Sequence, residues 1–150
     1  MSKPTGIVYV LLVINALLFL ALSILHIYWA FGGKWAMANA VPQKAGKDQK
    51  AFIPGKGATL LVAAGLLGFA LLHAAHLFTI DQLLLRNISR YGLLVVGCIF
   101  LLRVIGDFNY VGLTKSVRYT AFARLDNNVY IPLCAYLSIS SLFCYWCLFC

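Results

Sequence analysis

The chain has 150 residues, of which 63% are hydrophobic and 11% charged, and it contains no glutamate. That length suits one domain, but soluble domains carry about 45–50% apolar and about 25% charged residues, and so few charges in water would leave aggregating apolar patches. Twelve Lys and Arg stand against four Asp, a net charge of +8. They lie in short segments between apolar runs, which fits topology signals and anionic headgroups and excludes nucleic acid as a partner.

A spanning helix needs about 20 mostly apolar residues, and four runs meet that length. They cover residues 6–31, 58–80, 91–111 and 129–149. The expected fold is therefore all-α: one transmembrane domain built as a four-helix bundle, with both termini on the same side. The first run is too long for the apolar core of a signal peptide and has no small-residue cleavage site after it. Pro42 and Pro54 punctuate the first gap. The third gap mixes basic and apolar residues at helical spacing and reads as a short helix lying in the interface.

Sidedness follows from counting basic residues. Lys3, Arg86 and Arg90 fall on the terminal side, whereas Lys34, Lys44, Lys47, Lys50, Lys56, Lys115, Arg118 and Arg124 fall on the other. The positive-inside rule then puts gaps one and three in the cytoplasm and both termini outside.

Charges inside a bilayer are costly, about 2.5–3.5 kcal/mol each on insertion scales. Arg103 and Asp107 interrupt the third run four residues apart, so they share a helix face and are expected to pair. At 1.5 Å per residue, His26, Trp29, Arg103, Asp107, Asp126 and Tyr130 fall within about 10 Å of depth. Tyr110 shares the face of Arg103. The expectation is a polar, aromatic-lined pocket open toward the cytoplasmic leaflet, although the same charges could simply lock the bundle or line an ion path.

His73 and His76 form a second group, spaced three apart. They lie on the order of 20 Å along the membrane normal from His26, too far for a haem held across the bundle, so no cofactor is expected. Cys144 and Cys147 reach their level, and two thiolates with two imidazoles would suit zinc or copper. Buried cysteine is more often a small hydrophobe, so a metal is not expected. Lipidation is the other use open to the terminal cysteines. Ala64, Gly65 and Gly68 give the second helix a small-residue face for close packing, within the chain or between copies.

The stretch HIYWAFGGKW, then Pro42, then Phe52-Ile53-Pro54-Gly55, and later RVIGDFNYVGLTKSVRYTAFARLDNNVYIPLC, resembles the bacterial membrane family called domain of unknown function 3995. The resemblance runs from the first helix to the start of the fourth. It implies that His26, Trp29, Gly32, Gly33, Arg103, Gly106, Asp107, Asp126 and Pro132 match the family's characteristic positions, and that the chain lives in a bacterial inner membrane. The HAAH pair and the terminal cysteines are not part of that pattern.

Two functions from different classes follow. One is a pocket for an apolar or lipid-like molecule with a polar end, as a binding protein or as a small membrane enzyme with His26 and an Asp as acid–base groups. No nucleophile with a paired base is evident. The other is an accessory or assembly subunit of a larger membrane complex, or a homo-oligomer. A channel is less expected, since four helices leave little room for a pore.

Overall fold

The computed structural model describes residues 6–42, 54–78 and 83–149. Lys3, Lys44, Lys47, Lys50, Phe52, Ile53, Asp81 and Cys150, on which parts of the sequence reading rest, lie outside the described residues. Among the described residues every regular element is helical: α1 Gly6–Ala30, α2 Met37–Ala40, α3 Lys56–Ala75, α4 Leu83–Ile105, α5 Ala121–Leu125 and α6 Ile131–Phe149. A π-helical turn, Asp126–Tyr130, joins α5 to α6, so that Ala121–Phe149 runs as one helix. Four helices are long and apolar enough to cross a bilayer, which makes the chain a multi-pass membrane protein by length and composition.

Each spanning helix buries only a stripe. In α1 the stripe is Val8, Leu12, Asn15, Phe19 and Ser23, and in α3 it is Thr59, Ala63, Leu66, Ala70 and His73. Both follow the 3.6-residue turn. Between 17% and 44% of each spanning stretch is buried, so large apolar side chains such as Leu17, Leu61, Leu102 and Ile139 point outward. Acyl chains solvate that surface at no cost, whereas water would charge about 25 cal/mol per Å² for it.

The core has three levels. Val8, Leu12, Leu93, Cys144 and Leu148 pack at one end, Phe19, Leu66, Ala70, Val96 and Leu137 in the middle, and Val104, Ile131 and Cys134 at the other end. The start of α1 and the end of α6 therefore meet at the same end of the bundle. At the far end α2 touches α5, and Lys56 Nζ sits 4.5 Å above the Phe31 ring. Three buried polar side chains are paired across helices: Asn15 Nδ2 donates to Ser140 Oγ (2.9 Å), Ser23 Oγ to the Ala63 carbonyl (2.8 Å) and Ser138 Oγ to the Gly97 carbonyl (2.8 Å). Hydrocarbon offers no other partner for them.

Four helix boundaries differ from the sequence reading. The helical run of α3 stops at Ala75, short of residue 80. α4 starts at Leu83 rather than near 91 and stops at Ile105 rather than 111, because Gly106 takes φ +99° and turns the chain. The last helix starts at Ala121, eight residues early. Thr120 caps it, its Oγ1 accepting from the Ala123 N–H at 3.1 Å. The third gap, residues 112–128, therefore divides: its first part belongs to an irregular loop over residues 106–120, and the rest is helical but continues into the last span rather than forming a separate interfacial helix. The small-residue face of α3 is not used among the described residues either: a Cβ on Gly65 or Gly68 would meet nothing there within 4 Å.

Candidate functional site

Gly106 and Gly112 close the loop on itself. Both hold positive φ, and a Cβ on Gly106 would strike the Val111 carbonyl while one on Gly112 would strike the Gly106 backbone. Leu113 N–H donates to the Val104 carbonyl (2.8 Å) and Thr114 N–H to that of Ile105 (3.1 Å), so the loop folds back onto the end of α4. Inside it, Asp107 Oδ1 accepts from the N–H groups of Asn109 (3.0 Å), Tyr110 (2.7 Å) and Val111 (2.9 Å). Partial desolvation pushes the Asp107 carboxyl up, but these backbone donors outweigh it and hold the group below the usual carboxylate range.

This arrangement corrects the expected Arg103–Asp107 pair. With the helix ended at Ile105, residue 107 no longer lies one turn above residue 103, and the exposed Asp107 serves its own loop. Arg103 instead reaches Asp126: its Nη2 donates to Oδ1 at 2.8 Å. The other oxygen, Oδ2, accepts from Lys115 Nζ at 2.9 Å and from the Gly112 N–H at 2.9 Å. Asp126 is fully buried and Lys115 is 2% exposed.

The backbone explains how a carboxylate enters this position. Pro132 has no N–H and its ring would crowd the carbonyl four residues back in a regular helix. The wider π turn just before it absorbs both defects, and its extra residue turns Asp126 inward, a distortion common at functional sites. Asn127 and Asn128 are weak helix formers, yet Asn127 Oδ1 also accepts from Lys115 Nζ, which ties this turn to the loop.

Lys115 is the member that sequence reasoning missed. Its three ammonium hydrogens go to the Gly112 carbonyl (3.0 Å), Asp126 and Asn127. Two cations thus meet one carboxylate, and Arg103 Nη1 is buried with no hydrogen-bond partner among the described residues. Helical spacing cannot reveal a lysine that reaches back across a loop. The only sequence cue is the Gly106–Asp107 pair ending an apolar run, a stop signal of the kind glycine supplies.

The remaining expected residues make other contacts. His26 Nδ1 donates to the Leu22 carbonyl (2.7 Å), and its ring packs against Trp29, with centroids 5.0 Å apart. Trp29 Nε1 donates to the Trp35 carbonyl (2.8 Å). Tyr130 packs against Phe122, and Tyr110 is half-buried on the loop. Among the described residues no hydrogen bond links His26, Trp29 or Tyr130 to Arg103 or Asp126. An open groove of about 320 Å³ beside the triad is lined by Leu113, Lys115, Arg118, Asn127 and Ile131.

At the opposite end, His73 Nδ1 donates to the Phe69 carbonyl (2.8 Å) and Nε2 accepts from Ser141 Oγ (3.1 Å). His76 Nε2 lies 2.7 Å from Ser89 Oγ. Cys144 is buried in an apolar cluster. The histidines face serines rather than thiols, and the described residues bring together no three metal-binding side chains.

A model of the family described as protein of unknown function (DUF3995) matches residues 19–141. That stretch includes the triad, the loop and the His26–Trp29 pair. No curated protein and no solved structure matches the chain.

Proposed function

The chain belongs to the DUF3995 family of proteins of unknown function, and from that premise we propose that it is a membrane protein that binds a lipid-like ligand, an apolar molecule with one polar end. The observation that carries this reading is the excess of cations around a buried carboxylate: the buried Lys115 and the partly exposed Arg103 share Asp126, and the buried Arg103 Nη1 has no hydrogen-bond partner among the described residues. A purely structural lock would match its charges, since an uncompensated buried charge is expensive. Charge kept within membrane-spanning helices points to function. His26, Trp29 and Tyr130 belong to the same end of the bundle and would frame the ligand's body. In this reading the basic end faces the cytoplasm of a bacterial cell and both termini lie outside, as the lysine and arginine count suggests.

An enzymatic role for Asp126 is disfavoured, because three donors already occupy its two oxygens. His26 remains the one acid–base candidate at this end. The test is native mass spectrometry of protein extracted in mild detergent. A lipid-like molecule should be retained at one per chain and lost in an Arg103→Leu, Asp126→Leu double variant that still folds. Bare protein under conditions that preserve the fold would contradict the reading.

A second reading, an accessory subunit or a homo-oligomer, draws on one specific observation. Ala64, Gly65 and Gly68 leave a small-residue strip of α3 exposed beside Leu61 and Leu71, and such strips let helices approach closely in a bilayer. Its mark would be a stoichiometric protein partner, or a second copy, surviving the same extraction.

A further inference from the structure

Among the described residues the groove beside the triad presents side-chain donors, while its side-chain acceptor, Asn127 Oδ1, already takes a hydrogen bond from Lys115. Arg118 uses only its Nε, which donates to the Lys115 carbonyl at 3.2 Å; among the described residues no acceptor meets its two Nη groups. Asn127 turns Oδ1 to Lys115, so its two amide hydrogens are the ones left over. Lys115 has spent its donors on the protein but keeps its charge. Neither nearby carboxylate can answer: both oxygens of Asp126 are occupied, and Asp107 serves its own loop.

Two of the five lining residues are apolar: Leu113, which is 62% exposed, and the buried Ile131. Phe108 and Tyr119 stand out from the same loop, 66% and 101% exposed. Aromatic side chains at the end of spanning helices sit at headgroup level, and basic residues there attract anionic lipid.

We propose that this groove seats the phosphate of an anionic phospholipid, held by Arg118 and Asn127 over the Lys115 charge, with an acyl chain along Leu113 and Ile131. The proposal rests on the lipid-ligand reading above and names its headgroup. A guanidinium offers a planar pair of donors that matches two phosphate oxygens, and the groove's volume falls in the usual range for ligand sites. A free phosphate would use the same donors but gain nothing from Leu113 and Ile131.

The test titrates purified protein in neutral detergent with phosphatidylglycerol and with phosphatidylcholine, counting bound lipid by native mass spectrometry, with inorganic phosphate as competitor. Phosphatidylglycerol should bind at least tenfold more tightly, because phosphatidylcholine offers the same phosphate but sets a quaternary ammonium against the Arg118 and Lys115 charges, and millimolar phosphate should leave it bound. Arg118→Gln and Asn127→Asp should each erase the preference while melting near the wild-type temperature. The second variant keeps an acceptor for Lys115, so it guards against a misfolded first one. Equal affinity for the two lipids, or a preference that survives both substitutions, would overturn the headgroup assignment while leaving one lipid per chain. Displacement by phosphate would make this a site for a free anion. No lipid bound at all would sink the broader reading as well.

Discussion

Asp107 and Asp126 are nineteen positions apart and near the same loop, yet they do different work. Asp126 is buried under two cations and a backbone N–H, so its replacement by Asn leaves the buried Lys115 and the partly exposed Arg103 without their counter-charge. Removing one partner of a buried pair costs about 3–5 kcal/mol, and Asp126→Asn should lower the melting temperature in detergent far more than Asp107→Asn. A double-mutant cycle separates the pairs: Arg103→Leu with Asp126→Leu should show strong coupling, whereas Arg103→Leu with Asp107→Leu should add within about 0.5 kcal/mol. Coupling confined to the second pair would contradict the geometry. Asp107 also predicts a pH response. Its folded carboxyl lies below the ordinary value, so the unfolded chain binds the proton more readily, and the stabilisation is present above about pH 4 and fades as pH falls further. The melting-temperature gap between wild type and Asp107→Asn should shrink as pH drops from 6 to 3. Arg103 and Asp126 were legible as costly intramembrane charges. Their pairing was not, because it depends on where α4 ends, and Lys115 looked like any other loop lysine marking the basic side.

The elements that position the triad are the loop over residues 106–120 and the π turn. Sequence periodicity locates the helices well, since each spanning stretch is a long apolar run, but it carries the third helix through Gly106 and starts the fourth after Asn128. The first error comes from a glycine at positive φ; the second comes from a helix that Thr120 caps before the apolar run begins and that passes through the polar Asp126–Asn128 as a π turn. Gly106→Ala tests the first. The Cβ meets the Val111 carbonyl at a φ that costs an ordinary residue about 1–3 kcal/mol; the variant should melt early and weaken ligand retention together. On α3 the expectation reverses. Gly68→Ala enters open space and raises helix propensity, which favours the monomer by about 0.5–1 kcal/mol. If the strip is an interface between chains, the same change should weaken association, read as a shift in oligomer mass by light scattering.

At the scale of the molecule, an apolar exterior with buried polar pairs between helices is what a bilayer demands, and the basic residues concentrate at one end of the bundle. Single cysteines at position 47 and at Cys150, with the other cysteines replaced, should show protection of the first and labelling of the second by an impermeant maleimide on intact cells. The reverse pattern would invert the bundle and put the groove in the outer leaflet. In the proposed function a lipid-like molecule occupies the end of the bundle where Arg103, Lys115 and Asp126 meet. Photo-crosslinking in vesicles with a phospholipid carrying a diazirine near its glycerol backbone tests this most directly, with the adducts mapped by peptide mass spectrometry. Adducts should concentrate on Leu113 and Ile131 and vanish in the Arg103→Leu, Asp126→Leu variant. Adducts spread evenly over outward residues such as Leu61, Leu102 and Ile139 in both proteins would mean that lipid only surrounds the bundle, and the account would be wrong.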